Sequence, residues 1–293
     1  MKLEDFSFFT FFLGLHGTEA LHLARLYATF PYREQSSLTV IDQWAAVKEE
    51  LETQETFGLE WRAYLKSAKQ TVPPKLHATL KEKLPQAHFI EADKHFFHGE
   101  AIDYVLRSLS KTKYTVIMDS DVYFLNDAVM PAVFSLAEKA GGDFGAAGHF
   151  LQRLPFFHTL RKDVSSSFHL NMQKNHHGES PMNLERLCSF EPNPRMSRFP
   201  RLDPSFLIIN TEIFRAKNMS FRNLYLDVVS DSGTSGIFGD NGASFLYQLA
   251  LAGEKIIEVD VPNYIGHSKA GSYSSEESTI YSWYNGNLQE SEL

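Results

Sequence analysis

Apolar residues along this chain come in two rhythms, short unbroken runs and helical stripes, and the two alternate. Phe6-Ser-Phe-Phe-Thr-Phe-Phe-Leu-Gly-Leu15 is an aromatic run closed by His16-Gly17, the pattern of a strand buried on both faces. A helix is predicted over Glu19–Phe30, with Ala20, Leu23, Ala24 and Tyr27 on one face and Thr18 as N-cap. Pro31 stops it. Leu38–Asp42 reads as a second short strand that ends in a carboxylate, which completes a βαβ unit.

From Gln43 to Leu84 the composition turns helical and charged, broken by Pro73-Pro74, and predicts a helical insertion over about 45–86 packed on the sheet edge. The alternation then resumes with strand Ala87–Glu91, helix Gly99–Leu109, strand Lys113–Met118, helix Ala128–Lys139 and strand Phe144–Ala147. Repeated units of this kind predict an α/β fold with an open, mostly parallel sheet, helices on both faces and ligands at the carboxyl ends of the strands. The second half is less regular. Residues 151–205 hold Pro155, Pro181, Pro192, Pro194, Pro200 and Pro204 among Arg, His and Ser, which is loop chemistry around a site. Phe206–Ile209, Gly242–Ala252 and Lys255–Val261 read as strand, helix and last strand. With no internal repeat or low-complexity linker, one domain in two parts is expected, 1–150 and 151–293.

Composition narrows the function. The 28 basic and 36 acidic side chains leave a formal charge of 28 − 36 = −8, which argues against nucleic-acid backbone as the main partner. A single cysteine, Cys188, excludes an internal disulfide and a multi-Cys zinc site and fits a reducing compartment. The run Phe6–Leu15 is about half the length of a membrane span, and the residues before it lack the basic start of a signal peptide. A cytoplasmic protein with no membrane span is the expectation.

The segment richest in chemistry is Tyr114-Thr-Val-Ile-Met-Asp119-Ser-Asp121. Two carboxylates one residue apart, at the carboxyl end of a buried strand, stand where a hard divalent cation and phosphate oxygens can meet. A solvated strand-end turn is the plainer reading of Asp-x-Asp; the apolar run before it favours a site.

Together with Leu15-His16-Gly17, the strand-closing Asp42 and the Gly-led His98-Gly99-Glu-Ala-Ile-Asp103, this segment resembles nucleotide-sugar glycosyltransferases of the GT-A fold, especially inverting, family-2-like enzymes. The resemblance covers most of the chain. It implies a Rossmann-like half in which His16, Gly17, His98 and Gly99 border the nucleotide sugar and Asp42 reads the base. Asp119 would bind the ribose or sugar and share the metal with Asp121. Phe238-Gly-Asp240-Asn-Gly-Ala-Ser resembles the family's acidic helix start, which implies Asp240 as the catalytic base, although an Asp there equally serves as a helix cap. His267, in Tyr264-Ile-Gly-His-Ser-Lys269, would be a further metal ligand, and imidazole beside carboxylate tilts preference from Mg²⁺ to Mn²⁺. Lys269 would neutralise the departing diphosphate. The spacing differs from the His-x-x-Gly-x-x-Lys of retaining members. A glycan, a lipid-linked sugar or a protein side chain fits equally as acceptor.

Two other classes remain. Asp119-Ser-Asp121 and Gly239-Asp240-Asn241 also resemble the motifs of haloacid-dehalogenase-type phosphatases, in which Asp119 would be the nucleophile. That motif normally opens the first strand, whereas three predicted strands precede it here. A glycan-binding GT-A module without turnover is the non-enzymatic alternative. The Gly-rich, Arg-containing loop of sugar-nucleotide pyrophosphorylases is absent from Phe6 to Leu21. His95-Phe-Phe-His98 and His176-His177 lack companion Cys or a recognisable carboxylate partner, so zinc is not expected.

Overall fold

The apolar runs become strands that are covered on both faces. In a computed structural model, residues 1–14, 17–53, 72–96, 98–153, 168–170, 199–221, 224–230, 233–239 and 241–267 are described. They fall into two interleaved units, one from Met1–Phe97, Lys111–Phe134 and Asp260–Leu293, the other from His98–Ser110 and Ser135–Val259. Strand pairing over long sequence distances returns the segment after Asp260 to the first unit.

The first unit is built on four parallel strands, β1 (Phe6–Phe12), β2 (Leu38–Asp42), β3 (His88–Glu91) and β4 (Tyr114–Met118). β1 pairs with β2 on one side and β4 on the other, and β3 forms the edge beside β2. Every residue of β2 and β4 is buried, as central parallel strands require. At the edge, His88 and Glu91 of β3 are exposed. Helix α1 (Gly17–Thr29) crosses from β1 to β2 and begins one residue before the expected Thr18 cap. Its entry is tied down by Glu19, whose Oε1 accepts the Leu13 amide at 2.6 Å. Phe8, Phe30, Tyr32 and Phe124 pack edge to face and stacked, with centroids 5.1–5.9 Å apart. Burial pushes the Tyr32 phenol up to about 12, against the hydrogen bond from the Met130 amide. Two helices, Trp44–Thr53 and Pro74–Lys83, are described within the predicted insertion.

In the second unit β6 (Ala146–Arg153) pairs in parallel with β11 (Ile256–Glu258) and antiparallel with β8 (Phe199–Asn210). β8 is the main departure from expectation, because it starts well inside a stretch read as loop. Its prolines are accommodated at the ladder's weak points: Pro200 lies near the strand's start, and Pro204 falls in the irregular stretch between Leu202 and Leu207. A separate antiparallel sheet joins β7 (Phe168–Leu170), β9 (Leu224–Ser230) and β10 (Gly233–Gly239). The helix His98–Tyr104 continues into a π-helical turn, Val105–Leu109. Arg215 satisfies its end by donating to the carbonyls of Leu106 and Ser110, both at 2.7 Å. Phe214, Phe221 and Phe245 form the aromatic core of this unit. Among the described residues no helix is long and apolar enough to cross a membrane.

Candidate functional site

β4 delivers the two carboxylates. Its five residues are buried and apolar in the main, and the chain emerges from the sheet at Asp119-Ser120-Asp121, all partly exposed. The Val122 amide turns back on the Asp119 carbonyl at 3.4 Å, and β5 (Val122–Phe124) leaves in a new direction, paired antiparallel with β12 (Ile265–His267). Neither short strand was anticipated from the pattern. Their register sets Val122 opposite His267, and the imidazole Nε2 meets Asp121 Oδ1 at 3.1 Å.

One ligand atom each from Asp119, Asp121 and His267 lies within 4.8 Å of the others. An octahedral divalent ion with bonds of about 2.1 Å holds its ligand atoms about 3 to 4.2 Å apart. The three groups fit such an ion after a small closing movement, which a His267 side chain 43% exposed can make. The donor set is two hard oxygens and one imidazole nitrogen, so it suits Mg²⁺ and Mn²⁺ and gives a structural zinc no thiolate. Among the described residues this is the group of three that could hold a metal ion. Asp119 also follows the fourth strand of the chain, not the first as the phosphatase motif would.

Asp42 stands two strands away, across β1, and has a different fate. It is 3% exposed. Its Oδ2 meets His77 Nε2 at 2.7 Å and Lys81 Nζ at 2.9 Å, and Oδ1 accepts the Trp44 amide at 3.1 Å. Burial alone would push this carboxyl up, but the bonds from His77 and Lys81 outweigh it and hold the group below the usual carboxylate range. Burial likewise pulls Lys81 down, and Glu91 and Asp42 together carry it above its ordinary value. His77 is stacked on Trp44 with centroids 4.3 Å apart and on Phe12 at 5.9 Å. The expected base-reading carboxylate is thus already committed inside the protein, where it fastens the helix Pro74–Lys83 to the end of β2.

His77, Lys81 and Trp44 were not singled out from the sequence. The available signal was the spacing of His77 and Lys81, four apart on one helix face. Of the other expected residues, Gly17 opens α1, while His98 is exposed and Gly99 buried at the start of the helix in the second unit. His95 is engaged by Glu50 at 3.2 Å. His16, Asp240, Lys269 and His176-His177 lie outside the described residues, as does most of 151–205.

No family model and no curated protein matches the chain. Solved structures similar to it include Staphylococcus aureus TarS 1–349, with 9% identity and a TM-score of 0.40 over 98% of this chain and 67% of that one. A longer S. aureus TarS chain is similar at 10% identity and a TM-score of 0.42, over 98% of this chain and 41% of that one. The mannosyltransferase PcManGT from Pyrobaculum calidifontis, in complex with GDP-Man and Mn²⁺, is similar at 13% identity and a TM-score of 0.45, over 88% and 55%. The chain spans 41% to 67% of the length of these three. The likeness is loose, and no residue of the site is assigned from it.

Proposed function

We propose that this chain is a metal-dependent glycosyltransferase of the GT-A type, moving a sugar from a nucleoside-diphosphate donor to an acceptor hydroxyl with inversion. The observation that carries the reading is the convergence of Asp119, Asp121 and His267 at the carboxyl end of β4. That end of a parallel sheet is where phosphate-bearing ligands are met, and an acidic pair there needs a cation before it can approach a diphosphate. Asp119, Asp121 and His267 would hold the ion, and a divalent cation bound there supplies Lewis acidity to the departing phosphate. The mixed oxygen and nitrogen set favours Mn²⁺ over Mg²⁺.

The remaining work falls to side chains. As the bond from the anomeric carbon to the phosphate oxygen breaks and the bond to the acceptor oxygen forms, Asp240 takes the acceptor's proton. Lys269 is proposed to neutralise the charge that grows on the diphosphate.

A panel of nucleotide sugars tests this, read by released nucleoside diphosphate with Mn²⁺, Mg²⁺ or EDTA. It includes GDP-Man and UDP-GlcNAc, which are bound in structures of PcManGT and TarS. Release is expected with Mn²⁺, less with Mg²⁺ and none in EDTA; equal release in EDTA would overturn the metal reading. Asp121→Asn should lose metal-dependent nucleotide binding in calorimetry while its circular dichroism stays that of the wild type.

A further inference from the structure

The ladder that brings His267 to Asp121 is only three residues long on each side. A two-stranded ribbon of that length has little stability of its own, and a slip of one residue would exchange the faces of every side chain on it. Its register therefore needs a lock. Tyr123 stands opposite Gly266, and a Cβ added to Gly266 would lie 2.2 Å from Tyr123 Cζ and 2.5 Å from Cε2 and the hydroxyl oxygen. The ring occupies the space that any other residue would need. Moving the register by one would put Ile265 or His267 there, and both carry that Cβ. The Arg25 guanidinium lies over the same ring, its Cζ 3.4 Å from the centroid. Arg25 belongs to α1, whose Thr29 hydroxyl accepts the Phe124 amide at 3.1 Å. The ribbon is thus pinned to a helix of the main sheet at two points.

We propose that Arg25, Tyr123 and Gly266 form a register lock that positions His267 in the metal cluster. The lock deepens the metal reading and depends on it only in the first of two measurements. In that one, calorimetry with MnCl₂ on the full chain, Gly266→Ala and Tyr123→Leu weaken Mn²⁺ binding by about tenfold or more, the scale of outer-shell substitutions. Tyr123→Phe, which keeps the ring, binds as the wild type does. In a His267→Ala background, Gly266→Ala has no further effect, because the lock acts through that ligand. A loss that persists undiminished in that background overturns the positioning role.

The second measurement is hydrogen exchange of the metal-free protein. The amides of β5 and of Leu125, which donates to the Tyr264 carbonyl at 2.8 Å, lose protection in Gly266→Ala while β1 and β2 keep theirs. Unchanged exchange in both Gly266→Ala and Tyr123→Leu overturns the lock. A wild-type chain that binds no Mn²⁺ removes the metal reading instead, and exchange alone then decides the lock. Should Gly266→Ala fail to fold, Arg25→Gln carries the same two measurements.

Discussion

Two kinds of aspartate stand at the ends of β2 and β4, the strands that flank β1, and their surroundings give them opposite work. Asp42 has both oxygens bonded within the protein, whereas Asp119 and Asp121 are partly exposed and gathered with an imidazole. Replacing Asp42 by Asn removes the charge that His77 and Lys81 answer and is expected to cost about 2 kcal/mol, as for a hydrogen bond to a charged group. The cost should depend on pH. The folded-state carboxyl lies below its ordinary 3.8, so its contribution is complete above that value and is lost as pH falls through the lower folded one. Urea midpoints of wild type and Asp42→Asn should therefore differ most where the carboxyl is ionised, and the difference should shrink as the pH falls below 3.8 and through the lower folded value. A difference that does not shrink on acidification below 3.8 would show that shape, not charge, is what Asp42 provides.

At the scale of elements, the junction after β1 depends on one glycine. Gly14 adopts a φ of +70°, and a Cβ there would lie 2.4 Å from Trp44 Cδ1. The same indole donates from Nε1 to the Val72 carbonyl at 2.8 Å, and the Val72 amide donates to the Gly14 carbonyl at 2.8 Å. This closed loop of contacts sets Trp44 against His77. Gly14→Ala is expected to lose about 1–2 kcal/mol from the left-handed backbone alone, and more from displacing the indole. Gly253 is the matched control, with a φ of +68° and nothing within 4 Å of an added Cβ. Thermal melting should place Gly14→Ala clearly below Gly253→Ala; equal midpoints would deny the indole contact any weight.

At the scale of the whole molecule, turnover needs a group that takes the acceptor's proton, and Asp240 is proposed for it. Asn caps a helix as well as Asp does, so Asp240→Asn should leave melting and nucleotide affinity unchanged. Transfer should fall by about two to four orders of magnitude, the worth of general-base assistance. Product-stereochemistry and single-turnover assays on the same variant check this. A rate close to wild type would end the base role and with it the support for inversion.

Local pattern determined most of the main sheet. Leu38–Asp42 is a strand at the predicted residues, and β4 begins one residue inside its prediction, because an apolar run bounded by breakers has only one way to hide both faces. The strand end that precedes Asp119 and Asp121 was legible for the same reason, whereas His267 was singled out only through the family resemblance. The tertiary structure alone decided which side chains meet. β5 and β12 are three residues each, too short for a period to register, and they exist because they pair with each other. Asp42 has the same place in its strand as Asp119 has next to its own, yet His77, 35 residues further on, is what turns it inward. Periodicity reports how a residue sits on its own backbone. Which distant residue arrives beside it is set by long-range pairing, which leaves no local trace in the chain.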